Sequence, residues 1–128
     1  MSKGYQANKE RMETIASLGK ALAKRAGFVC EWCAGKDDLR PWDYLPDKEI
    51  SEGSLALLCA PCRELAAGRK GDEHELRGIR NALWSDVQAV SEGAARVLIR
   101  AKVPWGREAV EESMIDEAVK AELLKGRD

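Results

Sequence analysis

The sequence predicts a mostly helical α+β protein with a four-cysteine treble-clef or zinc-ribbon centre. Three observations predict it. The only four cysteines of the 128 residues form two C-x-x-C pairs, Cys30/Cys33 and Cys59/Cys62, separated by residues 34–58. Helical periodicity flanks the pairs on both sides. The segment between them reads as a short hairpin. Each C-x-x-C turn puts two sulfurs on one side of a tight loop, and two such turns complete the tetrahedral thiolate set of a structural Zn²⁺ site. The competing fates are redox dithiols, which need a βαβ context that is missing, and disulfides, which suit a secreted chain.

Composition bounds the rest. Formal net charge is −1, from 21 basic and 22 acidic residues, so no global basic signal points to nucleic acid. The distribution is uneven: residues 1–28 carry six basic and two acidic side chains, and residues 106–128 carry four and seven. Met1-Ser2-Lys3-Gly4-Tyr5 is not followed by an apolar stretch of secretory length, and no run reaches the roughly 18–20 apolar residues of a membrane span. A reducing compartment, by default the cytoplasm, is expected, and no membrane association. One domain is expected over 1–128: an N-terminal helix 8–26, a zinc module 28–68 and a helical part 73–125.

In order, residues 1–6 read as a frayed start. Met12, Ile15, Leu18 and Leu22 recur at helical steps from Asn8 to Ala26, and Gly27 supplies the left-handed stop. Lys24 and Arg25 complement the dipole there. Leu39 to Leu45 reads as a strand with Trp42 and Tyr44 on one face, confined by Pro41 to an edge. Ser51–Ser54 is turn chemistry, and Leu55–Leu58 is a short apolar run delivering Cys59. Pro61 suits the first position of a helix through Arg63-Glu64-Leu65. The order turn, hairpin, turn, helix is that of a treble clef.

Behind the module, Gly68–Asp72 reads as a loop and Glu73–Asn81 as one or two helical turns. Ser85-Asp86-Val87-Gln88 has capping-box spacing. It precedes an apolar stripe of Val87, Val90, Ala94, Val97, Leu98 and Ala101, with Glu92, Arg96 and Arg100 as an i,i+4 ladder on the wet side. Trp84 reads as a core anchor. The helix stops before Pro104, and Gly106–Lys125 reads as two short helices broken near Ser113.

Four cysteines leave no open coordination position for water, so the site reads as structural, with no catalytic residue. His74, the only histidine, reads as solvated surface. Nucleases of the His-Asn-His (HNH) type carry related treble clefs, but the hairpin has no histidine and Arg63 stands where one often follows the second pair. A degenerate HNH-like module binding nucleic acid is an alternative. Its candidate contacts are Lys9, Arg11, Lys20, Lys24, Arg25, Arg69 and Lys70. A protein partner for the apolar C-terminal helices is the favoured expectation.

Phe28-Val29-Cys30-Glu31-Trp32-Cys33-Ala34-Gly35, Leu57-Leu58-Cys59-Ala60-Pro61-Cys62-Arg63 and Leu83-Trp84-Ser85-Asp86-Val87-Gln88-Ala89-Val90 together resemble the PhnA-like zinc-ribbon proteins, over roughly residues 15–125. The hairpin departs from that pattern, with Trp42-Asp43-Tyr44 where a Tyr-Glu pair is usual. The resemblance implies a zinc ribbon and, through an alkylphosphonate-utilisation operon, phosphonate metabolism. An enzyme of that metabolism is the weakest alternative, because the chain has no His/Asp metal cluster and no Gly-rich phosphate loop.

Overall fold

The computed structural model describes residues 2–125. Helices α1 (Ser2–Ser17) and α2 (Gly19–Ala26) lead into the first cysteine turn. Strand β1 (Arg40–Asp43) and strand β2 (Leu55–Leu58) form an antiparallel hairpin in which Arg40 faces Leu58 and Asp43 faces Leu55. Then come α3 (Ala60–Ala66), α4 (Glu73–Gly78), a 3₁₀ turn (Arg80–Trp84), α5 (Gln88–Ala101), α6 (Gly106–Glu112) and α7 (Glu117–Leu124).

β2 is the hinge of the packing because all four of its residues are buried. Its side chains alternate between two cores, as the two-residue period of a strand requires. Leu55 and Leu57 join Leu22 in a small core under α1 and α2. Ala56 and Leu58 join the large core around α5, which also holds Leu65, Leu76, Ile79, Leu83, Val90, Leu98 and Val110. A two-stranded hairpin is marginal alone in water. Here both of its faces are covered, and Pro41 sits on the edge strand as expected.

Several expectations are corrected. The N-terminal helix begins at Ser2 rather than Asn8 and is two helices: Ser17 Oγ bonds back to the Thr14 carbonyl, and Leu18 N–H closes a tight turn onto Ile15. A Ser and a Gly flanking Leu18 are a recognised cause of such a kink. Gly19 then lies against Pro41 of β1. Met12, assigned to the apolar face, is 63% exposed. The strand is shorter than Leu39–Leu45. Pro61 is the second residue of α3, not the first.

The capping box at Ser85 is also absent. Ser85 Oγ accepts the Val87 N–H at 3.0 Å in an ST turn, and α5 begins only at Gln88. The ladder holds only in part: Arg96 and Arg100 are exposed as expected, but Glu92 is buried. α5 is buried almost all round from Ala89 to Ala95, Glu92 included, while Ala101 is exposed. Glu92 accepts from the Tyr44 hydroxyl, Arg96 donates to the same hydroxyl, and Arg100 donates to the Leu65 carbonyl. Trp84 is 37% exposed, with the Arg80 guanidinium 5.1 Å from its ring centre, because the 3₁₀ turn directs Ala82 and Leu83 inward instead.

Candidate metal centre

The first cysteine turn is held from outside. Gly27 closes α2 with φ 70°, the N–H groups of Gly27 and Phe28 bonding back to Lys24 and Ala23 as in a Schellman motif. Cys30 N–H donates to the Gly35 carbonyl at 2.7 Å and Ala34 N–H to the Cys30 carbonyl at 2.9 Å, so the loop is pinched shut. The N–H groups of Trp32 and Cys33 approach Cys30 Sγ at 3.4 and 3.5 Å, and Gly35 N–H approaches Cys33 Sγ at 3.4 Å. A Cβ on Gly35 would stand 3.3 Å from that sulfur, tighter than most packed contacts.

Glu31 and Trp32, between the two cysteines, tie the turn to both cores. Glu31 receives the Arg25 guanidinium through two bonds of 2.8 and 2.6 Å, and its Oε1 also accepts the Leu57 N–H at 2.8 Å. Its own N–H donates to the Leu57 carbonyl at 2.8 Å. Trp32 is 3% exposed, donates Nε1–H to the Val90 carbonyl at 3.0 Å and meets Trp42 edge-on at 5.4 Å. Gly93 of α5 makes room for both indoles, since a Cβ there would lie 2.8 Å from Trp42 and 3.0 Å from Trp32. None of these roles was assigned from sequence; a glycine inside a helical pattern is the one signal that points to such a close approach.

The second turn is shaped by the helix it opens and tied to the loop before β1, the Ala60 N–H donating to the Asp37 carbonyl at 2.9 Å. Cys59 caps α3 with φ −75° and ψ 170°, and its carbonyl accepts the Arg63 N–H at 3.0 Å. Cys62 lies in the first turn of that helix. Arg63, where a nuclease would need its histidine, is a strap: it donates to the Leu58 carbonyl at 2.7 Å and to the carbonyl and carboxylate of Asp38 at 2.6 and 2.8 Å.

Together the turns bring the Sγ atoms of Cys30, Cys33, Cys59 and Cys62 within 4.8 Å of one another, with Cys33 and Cys59 at 3.5 Å. A tetrahedron with metal–sulfur bonds of about 2.3 Å has sulfur–sulfur edges of about 3.8 Å, so the cluster can hold a metal ion. Cys33 is exposed and the other three are buried. The electrostatics fit a cation. Cys30 is pulled down to about 5, chiefly by its hydrogen bond with Cys62, with backbone N–H groups helping against burial. Cys59 is pushed up to about 11, first by burial. Cys62 is raised by the bond to Cys30, by burial and by the charges of its neighbours. One thiolate is welcome, and further ones repel it until a dication neutralises the set.

His74 is exposed and lines, with Cys33, Cys59, Cys62 and Leu65, a cavity of about 350 Å³ beside the cluster. Among the described residues, the group with metal-ligating spacing is the four cysteines.

The candidate cationic contacts are scattered. Arg11 makes two bonds to Asp43, at 2.8 and 3.2 Å, and one to the Leu45 carbonyl. Arg25 is committed to Glu31 and to the carbonyls of Glu52 and Leu55. Arg69 pairs with Glu64 and Glu75. Lys9, Lys20, Lys24 and Lys70 are exposed. So two of the arginines read as phosphate contacts hold α1 and α2 onto the hairpin and the cysteine turn. The helices offer no span either: none of the described ones is long and apolar enough to cross a membrane. Comparison with protein-family models, with curated proteins and with solved structures finds no match.

Proposed function

We propose that the four cysteines hold one structural Zn²⁺ in a treble-clef or zinc-ribbon arrangement, and that the chain is a non-enzymatic binding or regulatory module. The observation that carries this is the convergence of four thiols from two turns, one closed by backbone N–H groups on sulfur and the other opening a helix. Turn, hairpin, turn and helix follow in treble-clef order. Zinc favours this all-sulfur, four-coordinate environment, and four thiolates reduce its acidity towards water. The hairpin positions where a nuclease would carry its chemistry are engaged in packing: Asp43 with Arg11, Tyr44 with Glu92 and Arg96. Membership of the PhnA-like zinc ribbons belongs to this reading, with phosphonate metabolism as its context rather than its chemistry.

The test is native mass spectrometry with elemental analysis of the untagged protein. One zinc per chain, lost on Cys59→Ser, is the expected result. Metal-free protein with Cys30/Cys33 and Cys59/Cys62 oxidised would overturn it.

A further inference from the structure

A positive surface lies away from the N-terminal helices. A cleft of about 570 Å³ opens between the Gly68–Gly71 loop and the C-terminal end of α5. Arg69, Lys70, Arg100 and Lys102 line it, with no acidic residue in the lining. Cations at a helix end ordinarily answer the dipole, and the ends of α3 and α5 both lie here. Each end presents about half a negative charge, so the pair accounts for about one cation. Arg69 is answered by Glu64 and Glu75, at 2.9 and 2.8 Å. Arg100, Lys70 and Lys102 still exceed what the two helix ends require. Lys70 and Lys102 are exposed and make no ion pair among the described residues.

The cleft is also built rather than incidental. Gly68 takes φ 113°, closed to other residues without strain, and Gly71 lies so close to Leu65 that a Cβ would stand 2.7 Å from its methyl. Arg69 pins the loop between them by bridging α3 to α4 and donating to the carbonyls of Pro61 and Lys70. On the opposite wall Lys102 is held at φ 59° as the left-handed cap of α5, and Arg100 is fixed by its bond to the Leu65 carbonyl. Two lysines and an arginine are thus set around one opening whose backbone is fixed in advance. Clustered cations on such a frame suit oxyanions with more than one charge.

We infer that this cleft binds phosphate groups, one or several in a row, presented either by a free oligophosphate or by a nucleic-acid backbone. The inference names a ligand for the binding module proposed above and rests on that reading, but not on the identity of the metal. Of the contacts expected from sequence it keeps Lys70, drops Arg11 and Arg25, and adds Arg100 and Lys102.

The experiment uses the full metal-loaded chain at low salt, with two probes: tripolyphosphate by calorimetry and a fluorescein-labelled oligothymidylate by anisotropy. Lys70→Gln/Lys102→Gln is expected to weaken binding on the order of tenfold and to flatten the salt dependence of the oligonucleotide by about one to two phosphate contacts. Lys20→Gln/Lys24→Gln, the same charge change on α2, is expected to stay within about twofold of the parent on that scale. Binding of tripolyphosphate alone assigns the cleft to free oligophosphates, and binding of the oligonucleotide assigns it to a backbone. Binding of neither probe, an unchanged affinity in the first double variant, or an equal loss in the second overturns the inference. Metal content measured on every sample separates these failures from failure of the metal centre itself.

Discussion

The two C-x-x-C turns supply the same pair of ligands by opposite means. The second is set chiefly by its own helix: β2 ends, Cys59 caps a helix, and Cys62 follows within the first turn, with the Asp37–Asp38 loop as an outside tie. The first is imposed by its surroundings. Phe28 and Ala34 sit at φ 63° and 68°, in a region bulky and branched side chains avoid, and the turn is tethered through Glu31 to Arg25 and β2 and through Trp32 to α5. The lesson is that one metal site can combine a turn set chiefly by the helix it opens with a turn whose own backbone bonds are reinforced by tethers to both cores. Metal, hairpin and α5 then depend on one another.

The largest effect expected from that dependence is loss of the metal. Cys59→Ser removes a ligand from the second turn, yet Cys30, Cys59 and Cys62 lie in the same core as α5, so the damage spreads. Structural zinc is worth roughly 10–16 kcal/mol in small modules, against about 5–15 kcal/mol for a whole domain. The expected outcome is loss of the cooperative thermal transition by circular dichroism, with exposure of Trp32 and Trp42 seen in fluorescence. A melt identical to the parent's would show that the helices carry the fold alone.

Gly93→Ala strikes the same dependence from the helix side. Alanine is the better helix former by up to about 1 kcal/mol, but its methyl would press on two indoles at 2.8 and 3.0 Å. Overpacking costs about 1–3 kcal/mol, so the clash wins and net destabilisation of about 1–2 kcal/mol is expected by urea titration. If α5 and the first turn were independent, the helix gain would dominate and the variant would be more stable.

Legibility from sequence follows the same division. The helix after Cys59, the left-handed stop at Gly27 and the break at Ser113 were all readable, because each is set by residues within a turn of itself. The hairpin was readable in outline, since alternation and Pro41 are local signals. What failed was whatever depends on a distant partner. Glu92 looks like a wet-face residue until Tyr44 is brought to it, and Trp84 like a core residue until the 3₁₀ turn carries Leu83 inward instead. Arg11 and Arg25 carry charges that count towards a basic N-terminus, but Asp43 and Glu31 consume them. Asp72-Glu73-His74-Glu75 is a further local signal, a true capping box with Glu75 N–H on the Asp72 carboxylate at 2.8 Å and Asp72 N–H on the Glu75 carboxylate at 3.1 Å.

The smallest expected effect is the sharpest comparison, because one substitution is made in both turns. Ala34 and Ala60 each occupy one cysteine turn. Ala34 is exposed at φ 68°, where an L-residue costs roughly 1–2 kcal/mol relative to its preferred conformations. Ala34→Gly relieves that strain and adds about 0.4–1 kcal/mol of unfolded-chain entropy to be lost on folding, leaving a net stabilisation of about 0.5 kcal/mol. Ala60 is the first residue of α3, in helical geometry, and Ala60→Gly has no strain to relieve. It loses helix propensity and gains only the entropy cost, a destabilisation of about 0.5–1 kcal/mol. The two variants should therefore move the urea midpoint in opposite directions at unchanged slope, separated by about 1–1.5 kcal/mol. The same sign for both would mean that the first turn is not held against its own backbone preference, and the contrast between a tethered turn and one set chiefly by its helix would fall.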